Sequence, residues 1–404
     1  MHDATVRPHV PSSRVVSIPR LLPVATAVLL ALGTLIPTRA DEPTSTPTQP
    51  ERPALERWVR LLASPELEGR RGEGARKTAA LIAAEFRRLK LEPLFQGQYV
   101  QEVPPAPPVN ELGRNVGGVL RGADPDLADR WIIVSAHYDH LGVRNGVLHP
   151  GADDNASGVA MLLETARCFA EASEKPRRSI AFIGFDQEEV GLYGSRYFVA
   201  RPPFDLDRVD LFLTADMIGR SLGGVGKGRV FVMGTEHVPA LRPWLFDAAT
   251  DRPIRLGIIG ADLLVLNRSD YGPFRSRKVP FLFFSTGESP VYHQPDDTPD
   301  TIDYDSLTEI SQVIHQVVVR AGSEPALPKW NDQTDNPIEE AVTIRDVLQL
   351  LGENREALKL NAAHGFLIAN ALRTLEGIVE RGVITPVERA AMIQAARIVF
   401  VSVF

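Results

Sequence analysis

The sequence predicts an α/β fold: a mixed, largely parallel β-sheet flanked by helices on both faces, with a C-terminal helical appendage. Three observations lead there. From Arg130 onward, short apolar runs alternate with longer amphipathic stretches, and strands that alternate with helices build a sheet covered on both faces. Several of those runs end in polar, chemistry-bearing residues, as strands do at the carboxyl edge of an open α/β sheet. After Glu324 the strand-like runs stop and helical spacing takes over.

Taken in order, residues 1–40 read as a signal peptide or N-terminal anchor. Arg7, Arg14 and Arg20 precede an apolar stretch from 21 to 36, and Thr38-Arg39-Ala40 offers a small residue at a cleavage point. The stretch is short for a membrane span and is interrupted by Pro23 and Gly33. The expectation is an exported protein, periplasmic or extracellular, that meets a membrane only if this segment stays uncleaved. Residues 41–54, rich in Pro and Thr, read as a flexible linker.

Residues 55–325 read as the catalytic domain. Helical periodicity begins near Leu55 and returns between Ala75 and Leu91, and Pro104, Pro105, Pro107 and Pro108 then break any regular element. Strand candidates follow at 131–136, 180–185, 209–215, 229–233 and 279–285, with helix candidates at 158–172 and 191–200. Residues 326–404 read as a helical extension, mostly helical from 337 to 402, whose expected role is packing. Thr385-Pro386-Val387-Glu388 fits a capping box there.

Composition narrows the function classes. The chain has 404 residues, 44% hydrophobic and 24% charged, which suits a globular protein with a core of ordinary size. A net charge of −7 with no long basic run argues against nucleic acid as a partner. The single cysteine, Cys168, sits in an apolar run of helical spacing and reads as a small buried hydrophobe. The glycine-rich segment 223–228 fails as a phosphate loop, because Lys227 is followed by Gly228 and not by Ser or Thr.

The polar residues at the strand ends carry the chemistry. The run from Trp131 leads into His137 and Asp139, that from Ile180 into Glu188 and Glu189, that from Val209 into Asp216, and that from Val279 through a short loop into Tyr292 and His293. A further cluster, Asp153 and Asp154, opens the helix after Gly158. Two imidazoles and three carboxylates suit zinc better than calcium or magnesium, although manganese and cobalt accept the same donors. Five ligands exceed one tetrahedral ion and suit two ions that share a carboxylate. Three carboxylates against two divalent ions leave a positive surplus, which favours a nucleophilic hydroxide between them.

These residues fall in blocks that resemble a known family, the co-catalytic zinc aminopeptidases typified by bacterial leucyl aminopeptidases, with glutamate carboxypeptidase II among their relatives. The blocks are Ser135-Ala-His-Tyr-Asp-His140, Pro150-Gly-Ala-Asp-Asp-Asn-Ala-Ser-Gly158, Phe185-Asp-Gln-Glu-Glu-Val-Gly-Leu-Tyr-Gly-Ser195, Ala215-Asp-Met-Ile-Gly219, Ser269-Asp-Tyr-Gly-Pro-Phe274 and Tyr292-His-Gln-Pro-Asp-Asp-Thr298. Leu67-Glu-Gly-Arg70 and Arg114-Asn-Val116 match more weakly. The resemblance covers residues 56 to 320 and leaves out the C-terminal helices.

The resemblance implies a zinc exopeptidase-like fold and a zinc-dependent hydrolase acting on peptides, an aminopeptidase first. It implies that His137 and Asp216 hold one zinc, Glu189 and His293 the other, and that Asp154 bridges them. Asp139 would accept a hydrogen bond from His137 and fix its tautomer. Glu188 would be the general base, and the Tyr292 hydroxyl would polarise the scissile carbonyl. Tyr271 departs from the family, which often has His after this Ser-Asp pair. Arg220 would either meet a substrate carboxylate or brace its loop. The alternatives are a glutaminyl cyclase, which works with one zinc on the same fold, and carboxypeptidase-type specificity.

Overall fold

In the computed structural model, residues 48–403 are described, apart from 108 and 262–265. The export segment and residues 41–47 of the linker lie outside the described residues. The strands are β1 (Glu92–Pro93), β2 (Val100–Val103), β3 (Gly113–Leu120), β4 (Trp131–His137), β5 (Gly142–Arg144), β6 (Val147–His149), β7 (Ser179–Phe185), β8 (Val209–Ala215), β9 (Arg229–Met233), β10 (Arg255–Ile258) and β11 (Phe281–Ser285). The α-helices are α1 (Arg52–Leu62), α2 (Glu73–Arg88), α3 (Gly158–Glu171), α4 (Tyr193–Ala200), α5 (Arg242–Ala249), α6 (Tyr271–Arg275), α7 (Tyr304–Ser323), α8 (Ile338–Glu353), α9 (Ala362–Arg381) and α10 (Pro386–Val403). α1 thus begins at Arg52, inside the stretch read as linker.

The main sheet runs β1-β3-β7-β4-β8-β11-β9-β10, with β2 on β3. Its centre, β7-β4-β8-β11, is parallel, and antiparallel pairings with β3 and β9 flank it. β4 and β7 are buried at every residue, which explains why they read as continuous apolar runs and not as alternating ones. Side chains still alternate between the faces. Ile132, Val134 and Ala136 of β4 enter the core formed with α1, α2, α3 and α7, whereas Trp131 and Ile133 enter the core on the opposite face.

That second core holds α4, α6 and the three C-terminal helices. Ala341, Ile344, Val347 and Leu348 of α8 pack there, as do Met392, Ile393, Ala396 and Val399 of α10. The spacing is that of one helical face. Glu340 and Arg389, both buried, pair between α8 and α10, and Glu340 also accepts the Gly260 amide at 2.6 Å. The capping box at α10 forms: Thr385 Oγ1 accepts the Glu388 amide at 3.2 Å, and Glu388 accepts the Thr385 amide at 3.0 Å. Among the described residues no helix is long and apolar enough to cross a membrane.

Candidate metal centre and substrate cavity

The four central strands are neighbours and parallel, so their carboxyl ends open on one edge. His137 ends β4, Glu188 and Glu189 follow β7, Asp216 follows β8, and the loop after β11 returns with Tyr292 and His293. Asp154 arrives from the loop before α3. All five candidate ligands meet. His137 Nε2 lies 3.2 Å from Asp216 Oδ1 and 3.5 Å from Asp154 Oδ1. His293 Nε2 lies 3.2 Å from Asp154 Oδ2 and 3.0 Å from Glu189 Oε2. The two oxygens of Asp154 therefore face different imidazoles.

These spacings fit zinc. Donors bound to one tetrahedral zinc at about 2.0–2.1 Å stand about 3.3 Å from one another, and the contacts above cluster at that value. Three carboxylates and two imidazoles, most of them buried, meet within these distances, an arrangement that favours a cation.

A second tier holds the donors. Asp139 Oδ1 and Oδ2 accept the amides of Glu188 and Glu189 at 3.0 and 3.2 Å, which fixes both glutamates at the end of β7. Asp139 also stands beside His137, as expected. The His137 Nδ1 hydrogen bond goes to the backbone carbonyl of Asp139 at 3.3 Å, while the carboxylate stands at 3.6 Å. Two converging amides take the carboxylate oxygens. Either Asp139 acceptor favours the tautomer that leaves Nε2 for a metal. Ser269 donates to Asp216 Oδ2 at 3.0 Å. His140 Nδ1 lies 2.7 Å from Glu189 Oε1, leaving Oε2 for the His293 side. His140, Asp154 and Glu189 are themselves close enough to share an ion.

The Asp154 loop is clamped from two sides. Asp297 accepts the amides of Asp153 and Asp154 at 2.9 and 3.1 Å. Arg220, half-buried, donates to Asp297 at 2.8 Å and to the carbonyls of Thr298 and Thr301. It is a brace, with four of its five N–H donors spent on this loop. Asp153 accepts the Gly219 amide at 2.7 Å and stays out of the ligand set. On the other side, Arg70 donates to the carbonyls of Tyr138, Leu62, Pro150, Gly151 and Asp154 at 2.6–3.1 Å. Gly69 precedes it at φ +62°, where a Cβ would stand 2.5 Å from the His149 carbonyl oxygen. Only glycine allows that approach.

Burial and mutual charge shift the proton affinities. Burial opposes a charge on His293, yet Asp154 and Glu189 outweigh it and push the imidazole up to about 10. Burial likewise opposes charge on His137, but Asp216 and Glu188 hold it well above its usual range. Burial raises Glu188 well above the ordinary carboxyl range, with His137 opposing and Asp216 adding to the shift. Burial and then Glu189 push Asp154 up to about 6. Burial also raises the Tyr292 phenol, whose ring stacks on His293 with centroids 3.9 Å apart. Away from the site, burial pushes the Cys168 thiol up to about 12, in keeping with an inert cysteine.

A cavity of about 550 Å³ opens beside these donors. Asp154, Glu188, Glu189, Asp216, Tyr292 and His293 form one wall. Apolar side chains, among them Phe231, Met233, Ile259 and Phe283, form another. Val347 of α8 and Arg397 and Phe400 of α10 also line it. Tyr271 does not line it: its ring is buried between Phe281 and Phe283, and its hydroxyl donates to the Leu266 carbonyl.

The family model for peptidase family M28 matches residues 115–318. The chain belongs to peptidase family M28. Among curated proteins it is 25% identical over 230 residues to the aminopeptidase YwaD of Bacillus subtilis, covering 54% of this chain and 47% of that one. The chain spans about half or less of the length of the first curated relatives it matches. Two solved structures share the fold. A Zn-dependent exopeptidase from Parabacteroides distasonis matches with a TM-score of 0.56 at 19% identity, over 68% of this chain and 99% of that one. Glutaminyl cyclase from Porphyromonas gingivalis matches with a TM-score of 0.53 at 18% identity, over 66% and 97%. The M28 segment contains every candidate ligand, and α8–α10 lie beyond it.

Sequence reading missed His140, Asp297, Ser269 and the full role of Arg70. His140 closes the first matching block, and its position one residue after Asp139 was the available signal.

Proposed function

We propose that the chain is an exported metallo-exopeptidase, an aminopeptidase by preference, that holds two zinc ions. His137 and Asp216 would hold one, Glu189 and His293 the other, and Asp154 would bridge. The observation that carries this reading is the split of Asp154, with Oδ1 at 3.5 Å from His137 and Oδ2 at 3.2 Å from His293. A single-zinc cyclase has no need of a carboxylate shared in this way. The name of the Bacillus relative, an aminopeptidase, supports the reaction class, and the apolar N-terminal stretch supports export.

Zinc, when bound, supplies Lewis acidity toward a scissile carbonyl and toward water. The chain's own groups do the rest. Glu188 faces the cavity from the end of β7, its backbone fixed by Asp139. It takes a proton from the attacking water and returns it to the leaving amine. Burial makes it a stronger base than a surface glutamate. Tyr292, kept protonated by burial, donates a hydrogen bond to the oxygen that gains charge.

The test is Glu188→Gln with zinc analysis and turnover on aminoacyl and N-blocked peptides. The expected result is near-normal zinc and a loss of about 10²–10⁴-fold in turnover. Near-wild-type activity in the variant would remove Glu188 from the base role. About one zinc per wild-type chain would favour the cyclase, and preference for N-blocked peptides would favour a carboxypeptidase.

A further inference from the structure

The cavity beside the metal-type donors contains two arginines, and they are in different states. Arg268 pairs with Glu288 at 2.9 Å. Arg397, half-buried on α10, has no hydrogen bond or ion pair among the described residues. Its helix is firmly seated. Arg389, two turns earlier, is buried against Glu340, and Met392, Ile393 and Ala396 are buried in the core that α10 shares with the sheet. Arg397 is therefore presented to the cavity by a fixed helix.

A guanidinium partly removed from water and left without a partner is unfavourable, and an anion offsets that cost. Its planar fork matches a carboxylate with two parallel hydrogen bonds, which a lysine cannot reproduce. Phe231, Met233, Ile259 and Phe283 give the same cavity an apolar lining, and its Glu288 is already paired with Arg268. The same cavity reaches Glu188, so a molecule bound there lies against the reacting groups.

We propose that Arg397 binds a carboxylate of the substrate, so that the C-terminal helices, outside the M28 segment, supply a specificity-determining residue. The inference rests on the peptidase reading above. Two substrate features carry that chemistry: an acidic side chain on the N-terminal residue, and the free C-terminus of a short peptide.

The experiment compares full-length, zinc-loaded wild type with Arg397→Met and Arg397→Lys. The substrates form two pairs: glutamyl against leucyl p-nitroanilide, and the dipeptide Leu-Ala against its amide. In R397M the ratio of kcat/KM between the carboxylate-bearing and neutral member of one pair falls about 10- to 100-fold, the size of a lost charge-assisted hydrogen bond. R397K, which keeps charge without the fork, falls in between. A fall in the first pair assigns the side-chain carboxylate, and a fall in the second assigns the C-terminus. Unchanged ratios in both pairs overturn the proposal. Turnover of none of the substrates by the wild type would overturn the aminopeptidase reading instead. Calorimetric titration with Leu-Ala and its amide then reads Arg397 alone, and equal affinities in wild type and R397M overturn its role.

Discussion

Arg70→Lys tests the frame that holds the metal-type donors. Arg70 is 0% exposed, and its five N–H groups meet five backbone carbonyls. The match is complete, since a guanidinium has five donors and an ammonium three. Lysine therefore leaves at least two carbonyls dry. An unsatisfied buried polar group costs about 1–3 kcal/mol, so the loss is about 2–6 kcal/mol. That is a large share of the stability of an ordinary domain, about 5–15 kcal/mol. Burial lowers Arg70 to about 10, with Asp154 and Asp297 favouring the charged form, so it is still a cation at neutral pH and the substitution probes geometry more than charge.

Pro150, Gly151 and Asp154 supply three of the five carbonyls, and they belong to the loop that carries the bridging candidate. A second effect follows: zinc affinity falls by about 10–100-fold, as when other supports of a metal ligand are removed. Urea unfolding of the zinc-free protein reads the first effect, and competition against a chelator reads the second. A stability loss below about 1 kcal/mol together with unchanged zinc affinity would refute the reasoning, because it would mean that the carbonyls do not depend on those five donors.

Two further predictions address the ligand set and the core. Asp154→Ala removes both oxygens that face the two imidazoles, and zinc analysis should find the variant depleted of metal; full occupancy would sink the bridging role. His315 of α7 lies against Phe169, and burial lowers its pKa from 6.5 to about 4, so it folds as the neutral form. The unfolded chain protonates first as pH falls, so this contribution is complete above about pH 6.5 and is lost toward pH 4, a change of about 3 kcal/mol. The stability gap between wild type and His315→Leu should shift by that amount across the window, and a gap that stays constant would contradict the assignment.

The central strands were legible because burial on both faces leaves no polar alternation to confuse, as in β4 and β7. β3 was not, since Gly113, Gly117 and Gly118 give it little strand character and its place is set by pairing with β2 and β7. α7 was overlooked although its signal was present. Leu307, Ile310, Ile314, Val317 and Ala321 are buried at helical spacing, and Asp303 caps the Ser306 amide. The consecutive β-branched residues Val317, Val318 and Val319 resemble a strand locally, and only the longer period corrects that impression.

The metal-type donors stood out because four of them follow apolar runs and the fifth, Asp154, sits in an acidic cluster that opens a helix. Their supports did not, because Arg70 and Asp139 hold backbone groups, as Asp297 does besides its pairing with Arg220, and backbone partners leave no mark in a sequence. Arg220 and Arg397 show what this hides. From sequence, Arg220 was the cation to consider for a substrate carboxylate, standing four residues after Asp216. In the fold it is half-buried, paired with Asp297 and bonded to two carbonyls. Drawing it away to substrate would leave Asp297 holding two amides without its counter-ion. Arg397, far along the chain in a segment that no motif marks, faces the cavity with no such obligation. The distinction between a brace and a binder is thus one of satisfaction: a cation whose donors are spent on the protein cannot pair with a ligand without disrupting the loop it holds.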